Sequence, residues 1–372
     1  MSGNTRVMHI TYDMRIGGTE MVIKNLIEGF ASTSVEMSIF CIESPLGPWG
    51  EMLKQGGIQI TTHPRQPGFD KALIKAIRAH IREYKIDIIH CHQYTPWVYG
   101  VIAAAGLKTK VIFTEHGRFY PDFGTWKRKL VNPVLQSLTD SMTAISAATR
   151  QALVTHENLS AKKISVIYNG IQALLPAEQA SLDALREQLK IQPDTLVLGT
   201  IARFDPIKNH LMMLSAFKDC LDAGLDAVLV IVGDGEMRSA IEQRITELGI
   251  VDAVRLTGYQ PQPSQYLSLM DIFLLSSFSE GTSMTLLEAM SIGKPCVVTD
   301  AGGNKEVIGH NENGLVVDND NQTAFALAIQ QIARDKALYD KFANTAKSRF
   351  AKRFSVTSMC DAFNGIYQRL AS

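Results

Sequence analysis

Short runs of β-branched and apolar residues alternate with helical patterns along the whole chain, and this alternation is the strongest constraint on the fold. The first half contains the runs RVMHITYD, EMSIFCI, GIQITT, KIDIIHC, KVIFTE, SMTAIS and KISVIY. Between them lie amphipathic segments such as FDKALIKAIRAHIREY, in which Leu73, Ile74, Ile77 and Ile81 recur at helical spacing. Apolar strands separated by helices predict a parallel sheet that is covered by helices on both faces.

The second half repeats this pattern with the runs TLVLGTIA, DAVLVIVG, AVRLTGY, DIFLLSS, PCVVTD and GLVVD. We therefore predict an α/β fold of two Rossmann-like parallel-sheet domains that face a central cleft, with ligands at the carboxyl ends of the strands. The first domain is predicted at 1–172 and the second at 190–354, joined by a linker at 173–189. A helix at 355–372 has one apolar face and is predicted to pack back on the first domain.

The composition excludes several classes of protein. The chain of 372 residues is 46% apolar and carries a formal net charge of +0, so its overall charge does not attract nucleic acid. The five cysteines form no C-x-x-C pair, which argues against a zinc site and fits a reducing cytoplasm. No apolar run approaches about 18 residues, and the N-terminus shows no signal-peptide pattern. We expect a cytoplasmic protein, or one that lies on a membrane without crossing it.

The loop after the first predicted strand places Gly17 and Gly18 at the start of a helix. Bare amides at a helix N-terminus can bind a phosphate or a hydroxyl, so this turn is a candidate ligand site. Two glycines also suit a tight turn with positive φ, and the spacing leaves both interpretations open. The turn lacks the G-x-G-x-x-G pattern of dinucleotide-binding proteins.

Two loops of the second half carry further candidates. Arg203 and Lys208 bracket a proline-containing turn in GTIARFDPIKNHLMML, where two cations could neutralise a leaving diphosphate. Solvated loop cations are the alternative. Gly233, Asp234 and Gly235 follow another strand, and such a loop lets a base or ribose approach the backbone closely.

The stretch SSFSEGTSMTLLEAMSIGKPCVVTD combines a strand end, a turn and a helix. Glu280 lies at the predicted carboxyl end of the strand, and Gly281 allows the chain to turn tightly. Thr282 or Ser283 is the predicted N-cap, so that the amides of residues 283–286 would be free to bind a phosphate.

Glu288 follows about one turn inside the helix, among apolar neighbours. A carboxylate in such surroundings needs a partner, and the two adjacent hydroxyls of a ribose would suit its two oxygens. A glutamate that points to solvent is the alternative.

These features occur in a definite order: a GG turn, an R-x4-K turn, a GDGE loop and an E-x7-E element, on two successive parallel-sheet domains. In this order they resemble the retaining family 4 glycosyltransferases of GT-B architecture. The resemblance covers nearly the whole chain and is most specific at residues 276–303. It implies a hexosyltransferase that moves a sugar from a nucleotide-sugar donor to an acceptor.

The resemblance also implies roles for individual residues. Glu288 would bind the ribose, Glu280 would contact the donor sugar, and His116 in VIFTEHGRF matches the family's histidine beside that sugar. His90 and His92 in DIIHCHQY rank lower, as acceptor-side or packing residues. The residues implied in catalysis are His116, Arg203, Lys208 and Glu280. The residues implied in donor binding are Gly17, Gly18, Arg203, Lys208, Gly233, Asp234, Gly235, Glu280, Gly281, Thr282, Ser283, Met284, Thr285 and Glu288.

The chain departs from the family at two places. Thr282 and Ser283 stand where the family often has Phe-Gly, a change that backbone amide donors should tolerate. Gln172 replaces an acidic residue after the Asn-Gly turn at Asn169, which weakens any role near that turn.

The implied mechanism is a front-face displacement without a cofactor or a metal. The alternative is a metal site at residues 318–320, whose sequence DND has the D-x-D form of metal-dependent glycosyltransferases. Since the helical pattern QTAFALAIQQIA follows, we interpret Asp320 or Asn321 as an N-cap instead.

The acceptor is implied to be a saccharide or a lipid-linked saccharide of surface polysaccharide or glycolipid biosynthesis, and a UDP-sugar is favoured as the donor. The segment FGTWKRKLVNPVLQSLTD is basic and partly apolar, so it could lie on the anionic inner face of the cytoplasmic membrane. A helix packed on the first sheet, with a solvated basic end, is the alternative.

Three rival functions stay open at this point. A GT-B nucleotide-sugar epimerase would share the fold, and a non-catalytic nucleotide-sugar-binding protein would keep the donor loops. A two-domain NAD-dependent oxidoreductase is disfavoured because the dinucleotide fingerprint is absent.

Overall fold

The computed structural model describes residues 4–117 and 124–372, which divide into two compact units. The first unit comprises Met1–Gln172 and Arg353–Ser372, and the second comprises Ala173–Lys352. Each unit contains one parallel sheet with helices between its strands.

The seven runs predicted as strands in the first half all form strands, in the order β3-β2-β1-β4-β5-β6-β7. The strands are β1 (Thr5–Thr11), β2 (Val35–Cys41), β3 (Ile60–Thr62), β4 (Ile88–His92), β5 (Lys110–Glu115), β6 (Ser141–Ala144) and β7 (Ile164–Val166). The helices are α1 (Gly18–Phe30), α2 (Pro48–Gln55), α3 (Lys71–Glu83), α4 (Tyr94–Ala104), α5 (Trp126–Ser137) and α6 (Ala147–Glu157), with a 3₁₀ turn at Ala161–Lys163. In α3, Leu73, Ile77 and Ile81 are buried at helical spacing, as the sequence predicts.

The second unit forms its six predicted strands in the order β10-β9-β8-β11-β12-β13. The strands are β8 (Leu196–Ile201), β9 (Ala227–Val232), β10 (Val254–Gly258), β11 (Ile272–Leu275), β12 (Cys296–Thr299) and β13 (Gly314–Val317). The helices are α7 (Gln179–Gln188), α8 (His210–Asp222), α9 (Arg238–Glu247), α10 (Ser264–Leu269), α11 (Met284–Ser291), α12 (Asn304–Val307), α13 (Gln322–Arg334) and α14 (Lys336–Arg353), with 3₁₀ turns at Pro206–Lys208 and Val251–Ala253. Residues 173–189, predicted as a linker, include α7 and belong to this unit.

Each sheet has one point at which the strand order reverses. In the first unit this switch point lies between β1 and β4, and in the second it lies between β8 and β11. The loops that leave two such strands diverge, and ligands of open α/β sheets bind in the crevice that opens there. This rule selects the loops after β1, β4, β8 and β11 as the places to look for function.

The last helix, α15 (Val356–Ala371), returns to the first unit. It packs against α1, and Met359, Phe363 and Tyr367 are buried. Backbone hydrogen bonds hold the entry to the helix, because the Ile171 amide donates to the Phe354 carbonyl and the Val356 amide donates to the Ile171 carbonyl.

Helix α5 exposes an apolar face. Leu135 points inward, whereas the exposed apolar side chains are Trp126 (70%), Leu130 (67%), Val131 (50%), Val134 (59%) and Leu138 (54%), the last just after the helix. Phe123, the first residue of the predicted membrane-binding segment, lies outside the described residues. Among the residues that the structure describes, no helix is both long and apolar enough to span a bilayer.

Candidate functional site

Four neighbouring strand ends of the second unit are tied together by hydrogen bonds. The Phe278 amide donates to the Ile207 carbonyl (2.8 Å), which joins the loops after β11 and β8. The Phe204 amide donates to the Asp234 carbonyl (2.9 Å), which adds the loop after β9. The Gly303 amide donates to the Glu280 carbonyl (2.9 Å) and adds the loop after β12. These four loops therefore form one surface around the switch point between β8 and β11, which we call the donor loops after the role that the resemblance implies for them.

An ion pair spans that switch point. Lys208 Nζ lies 2.6 Å from Glu280 Oε1, and the Ser277 hydroxyl donates to the same oxygen at 2.6 Å. The Glu280 side chain is 9% exposed and that of Lys208 is 23% exposed, so the pair is largely removed from water. Glu280 Oε2 has no partner among the described residues and can accept a hydrogen bond from a ligand.

Arg203 lies at the other end of the same loop. Its guanidinium is 77% exposed and forms an ion pair with Asp205 at 2.7 Å. Asp205 also accepts from the Ile207 amide and thereby caps the short 3₁₀ turn that presents Lys208. The two predicted cations therefore belong to one loop, but only Lys208 touches Glu280.

Helix α11 begins at the end of the Glu280 turn, in which Gly281 and Thr282 lie. Ser283 is the N-cap, as predicted, and its hydroxyl accepts from the Leu286 amide at 3.3 Å. This bond corrects the expectation of four free amides, because the fourth is occupied by the cap. Within the described part of the chain, the amides of Ser283, Met284 and Thr285 have no acceptor, so this helix start presents unpaired donors.

Glu288 lies one turn further along α11. Its carboxylate has no hydrogen-bond or ion-pair partner among the described residues, and burial raises its pKa to about 7. A half-buried carboxyl group without a partner is destabilised when it ionises. A ligand that donates two hydrogen bonds would relieve this cost.

Gly233 and Gly235 meet the structural demands of their turn. Their φ angles are +143° and +154°, and a Cβ atom at Gly233 would lie 2.0 Å from the Ala202 carbonyl oxygen. Asp234 accepts from the Gly235 amide and pairs with Arg238 at 3.2 Å. The fold alone therefore explains these glycines, and their contact with a donor stays a prediction.

The Gly17–Gly18 turn of the first unit does not need positive φ. Gly17 is extended at φ −165°, and Gly18 is the first residue of α1. A Cβ atom at Gly18 would meet no described atom within 4 Å. The turn thus leaves open space at the end of β1. The Glu20 carboxylate lies beside Gly17, and its pKa is raised by burial first and by the charge of Asp13 second.

His116 follows β5 and belongs to a buried group of histidines. His92 Nδ1 lies 2.8 Å from His116 Nε2, and His92 Nε2 lies 2.9 Å from His9 Nδ1. His90 bonds to the Tyr367 hydroxyl through Nδ1 and to Thr114 through Nε2. The nitrogens of His9, His90 and His92 lie within 4.8 Å of one another, a spacing that a metal could use. However, both ring nitrogens of His90 and of His92 already have hydrogen-bond partners.

The residue that follows the DND segment caps a helix. Asn321 is the N-cap of α13 and accepts from the Ala324 amide at 3.0 Å, which confirms the predicted cap. Asp320 accepts from the Asn209 side chain at 3.0 Å. Asp320, one of the two carboxylates of the D-x-D alternative, is therefore already held by a hydrogen bond.

Two family models match the chain, one on each half. The model described as Glycosyltransferase Family 4 matches residues 16–173, and the model described as Glycosyl transferases group 1 matches residues 182–349. The chain is a family 4 glycosyltransferase. The fold class and the enzyme class that the sequence predicts are thereby confirmed.

The glycosyltransferase has full-length relatives with different acceptors in their names. It is 26% identical to the UDP-Gal:alpha-D-GlcNAc-diphosphoundecaprenol alpha-1,3-galactosyltransferase of Escherichia coli, over 97% of this chain and 96% of the relative. It is 27% identical to the N-acetyl-alpha-D-glucosaminyl L-malate synthase of Bacillus anthracis, over 81% of this chain and 79% of the relative. The crystal structure of Anabaena HepE in complex with UDP has the same fold, with a TM-score of 0.86 and 21% identity over 98% of this chain and 100% of that one.

Sequence reasoning missed two supports of the site in the glycosyltransferase. Ser277, which holds Glu280, is one of several serines in SSFSEGTS and has no distinguishing signal. His9 joins the histidine group because β1 and β4 pair with His9 opposite His90. The only sequence signal for this group is that His9 lies in a predicted strand and that His90 and His92 lie at the end of another.

Glu288→Gln should make the ligand-free glycosyltransferase more stable at alkaline pH. In the folded wild type the pKa of Glu288 is raised from 4.5 to about 7. The contribution of this group to stability is therefore fully present below pH 4.5 and is lost as the pH rises through 7. Glutamine is neutral throughout. Thermal unfolding should show nearly equal Tm values near pH 4.5 and a higher Tm for the variant above pH 7, by about 2–4 °C per kcal/mol.

The exposed Glu187 on α7 provides the control, because Glu187→Gln should leave the pH dependence unchanged. A Tm difference for Glu288→Gln that is the same at both pH values would contradict the buried, ionising carboxyl group.

Gly18→Ala should reduce activity without reducing stability. The new methyl group meets no described atom, so the Tm should stay equal or rise slightly, whereas a ligand near the turn would be displaced. A displacement of this kind should lower kcat/KM for transfer by about tenfold or more. Gly365→Ala on α15, where a methyl group also meets nothing within 4 Å, is the matched control and should retain activity. Equal activity of the two variants would remove Gly18 from the site.

Proposed function

We propose that the protein is a retaining glycosyltransferase that moves a sugar from a UDP-sugar to a saccharide or lipid-linked saccharide acceptor. The observation that carries this proposal is the set of polar groups that the donor loops bring together. A cation, a row of free amides and an unpartnered carboxylate follow one another around a single switch point. They match in order the charges and hydroxyls of a nucleoside diphosphate sugar.

Each group of the donor loops has a chemical counterpart in the donor. Glu288 accepts hydrogen bonds from the two ribose hydroxyls, which compensates the burial of its carboxylate. The amides of Ser283, Met284 and Thr285 bind the diphosphate at the start of α11. Lys208 and Arg203 neutralise the same group, and Glu280 Oε2 accepts from a hydroxyl of the sugar. The Gly233–Gly235 turn supports the nucleoside. A uracil base is preferred because the E. coli relative is named for UDP-Gal and the Anabaena structure contains UDP.

The arrangement supports a front-face displacement. Glu280 Oε1 already accepts from Lys208 and Ser277, so this carboxylate is a fixed charge rather than a free nucleophile. The bond between the anomeric carbon and the phosphate oxygen breaks, and its electron pair leaves with the phosphate. The acceptor hydroxyl oxygen bonds to the anomeric carbon on the same face, and its proton moves to the departing phosphate oxygen. Lys208, Arg203 and the helix start stabilise the charge that develops, so the proposal needs no metal.

The first unit supplies acceptor-side groups. The ionised carboxylate of Glu20 beside the Gly17–Gly18 turn would repel a phosphate, so this turn suits the hydroxyls of an acceptor. His116 contacts the donor sugar. The acceptor is a saccharide or a lipid-linked saccharide, and the undecaprenol-linked substrate in the name of the E. coli relative supports the second class. L-malate, which the Bacillus anthracis relative's name contains, is the small-molecule comparison for any acceptor panel.

Helix α5 supports a location at the inner face of the cytoplasmic membrane. Its exposed apolar side chains lie beside Lys127 and Lys129, a combination that binds anionic lipid surfaces. Arg128 is not counted among the lipid-binding cations, because it forms an ion pair with the buried Glu157 at 3.1 Å. Access to a lipid-linked acceptor is the advantage of such a position.

The decisive test of the proposal compares Lys208→Ala with the wild type in UDP-sugar turnover. Loss of a fixed cation at the leaving group should lower kcat by about 10²–10³ at saturating donor. Lys218→Ala is the control, since Lys218 pairs with Asp222 on α8 of the same unit. Near-normal turnover of Lys208→Ala would refute the role of this pair.

The same assay separates the other candidate functions. A panel of UDP-, GDP- and ADP-sugars with lipid-linked saccharide, free saccharide and L-malate acceptors identifies both substrates. Activity that EDTA abolishes and Mn²⁺ restores would refute the metal-free mechanism. Conversion of the donor without an acceptor would indicate an epimerase, and binding without any donor cleavage would indicate a non-catalytic protein.

Leu130→Asp should release the glycosyltransferase from anionic vesicles. The wild type should float with vesicles that contain anionic lipid and not with neutral vesicles, whereas a charge on the apolar face of α5 opposes insertion. Donor hydrolysis should persist, because α5 holds none of the donor loops. Leu327→Asp, at a residue 60% exposed on α13 of the second unit, is the matched control and should still float. Failure of the wild type to float with either vesicle would remove the membrane from the proposal.

A further inference from the structure

A hydrogen-bonded row of side chains crosses the sheet of the first unit, from within β2 and β1 to the carboxyl ends of β4 and β5. It runs from Met37 through His9 and His92 to His116, with contacts of 3.4, 2.9 and 2.8 Å. His9 and His92 are fully buried. We call this row the histidine relay.

The relay fixes the positions of its own protons. Each contact between two neutral imidazoles needs one N–H donor and one bare nitrogen, and a neutral ring carries only one of each. The sulfur of Met37 has no hydrogen, so His9 Nε2 must be the donor to it. His9 Nδ1 then accepts from His92 Nε2, and His92 Nδ1 accepts from His116 Nε2. The last ring is left with an unprotonated Nδ1.

The free end of the relay is a buried acceptor without a partner. His116 Nδ1 is shielded from solvent and has no hydrogen-bond partner within the described residues. A bare ring nitrogen in this position can accept one hydrogen bond from a hydroxyl group, and it cannot donate one.

We propose that His9 and His92 are positioning residues that hold His116 in the tautomer with an unprotonated Nδ1, so that His116 accepts a hydrogen bond from a substrate hydroxyl. The substrate part of this proposal rests on the proposed function, in which His116 contacts the donor sugar. His116 is thereby a neutral acceptor in the reaction, and neither a cation that stabilises the leaving group nor a proton-transfer group.

The surroundings of the relay keep its rings neutral. Burial lowers the pKa of His9 and of His116 to about 3, and it holds the pKa of His92 well below its usual value. The ring of His90 stacks on that of His92 at 4.2 Å, so a proton on either would face a second imidazole at contact distance. Each ring must be neutral to have one donor and one acceptor nitrogen, as the relay requires.

Heteronuclear NMR of the histidine ring nitrogens in the ligand-free enzyme tests the tautomer without any substrate. The expected result is a His116 ring with a protonated Nε2 and a bare Nδ1. A protonated Nδ1 on His116 would overturn the proposal. So would a stoichiometric metal ion in the purified enzyme that is lost in His92→Leu, because ring nitrogens that bind a metal cannot form the relay.

Kinetics then test what the relay does. His92→Leu should lower kcat by about tenfold or more, as when the partner that orients a functional histidine is removed, with little change in the KM for the donor. His92→Asn, which keeps an acceptor near the position of Nδ1, should recover part of the loss. His80→Leu, at another buried histidine of the same unit, is the matched control. Equal kcat values for His92→Leu and His80→Leu would overturn the positioning role.

Two further outcomes keep the proposals separate. If His92→Leu does not fold, Met37→Leu at the half-buried end of the relay removes only the sulfur, and NMR should then show a mixture of both His116 tautomers. An unchanged single tautomer would overturn the directing role of Met37 and with it the proposal. If the tautomer is as expected but His116→Ala transfers sugar normally, the relay stands and the contact of His116 with the donor sugar is wrong.

Discussion

The ion pair between Lys208 and Glu280 is the interaction on which the donor loops depend. It joins two loops that leave neighbouring strands in opposite directions, and it is largely shielded from water. A pair of this kind contributes little net stability, but the loss of one partner leaves a buried charge and is costly. The pair therefore holds the two sides of the crevice at a fixed spacing. Ser277, the Glu280 carbonyl and the cap of α11 are all arranged around it.

The unsatisfied groups of the second unit have a common physical meaning. The amides at the start of α11 have no acceptor within the described residues, and burial makes ionisation of the unpaired Glu288 carboxyl group unfavourable in the ligand-free protein. The loops that carry these groups are held in place by the hydrogen bonds that join neighbouring strand ends. Preorganised groups of this kind need no rearrangement when charge develops on a ligand.

The sequence predicts each sheet well, and it predicts contacts between distant strands poorly. Every strand of both sheets and the Ser283 cap follow from local periodicity and capping chemistry. The strand order does not follow from these local signals. Strand β1 pairs with β4, about eighty residues further along the chain, and no local pattern specifies that pairing. The histidine relay depends on that order, so the sequence alone does not predict it. Residues 173–189, predicted as a linker, contain the polar helix α7, whose packing on α10 is a distant contact of the same kind. The positive φ considered for Gly17 also failed, because the backbone there is extended.

The path of the chain through the two units has a consequence for its synthesis. The first unit needs α15, whose Tyr367 is wholly buried and bonds to His90 in the middle of its sheet. A ribosome makes the complete second unit before it makes this helix. Until α15 has been made, the first unit has an uncovered apolar surface on α1 and cannot complete its fold. The second unit can fold as soon as it is synthesised. Although it is encoded after the whole second unit, α15 thus decides when the domain encoded first becomes complete.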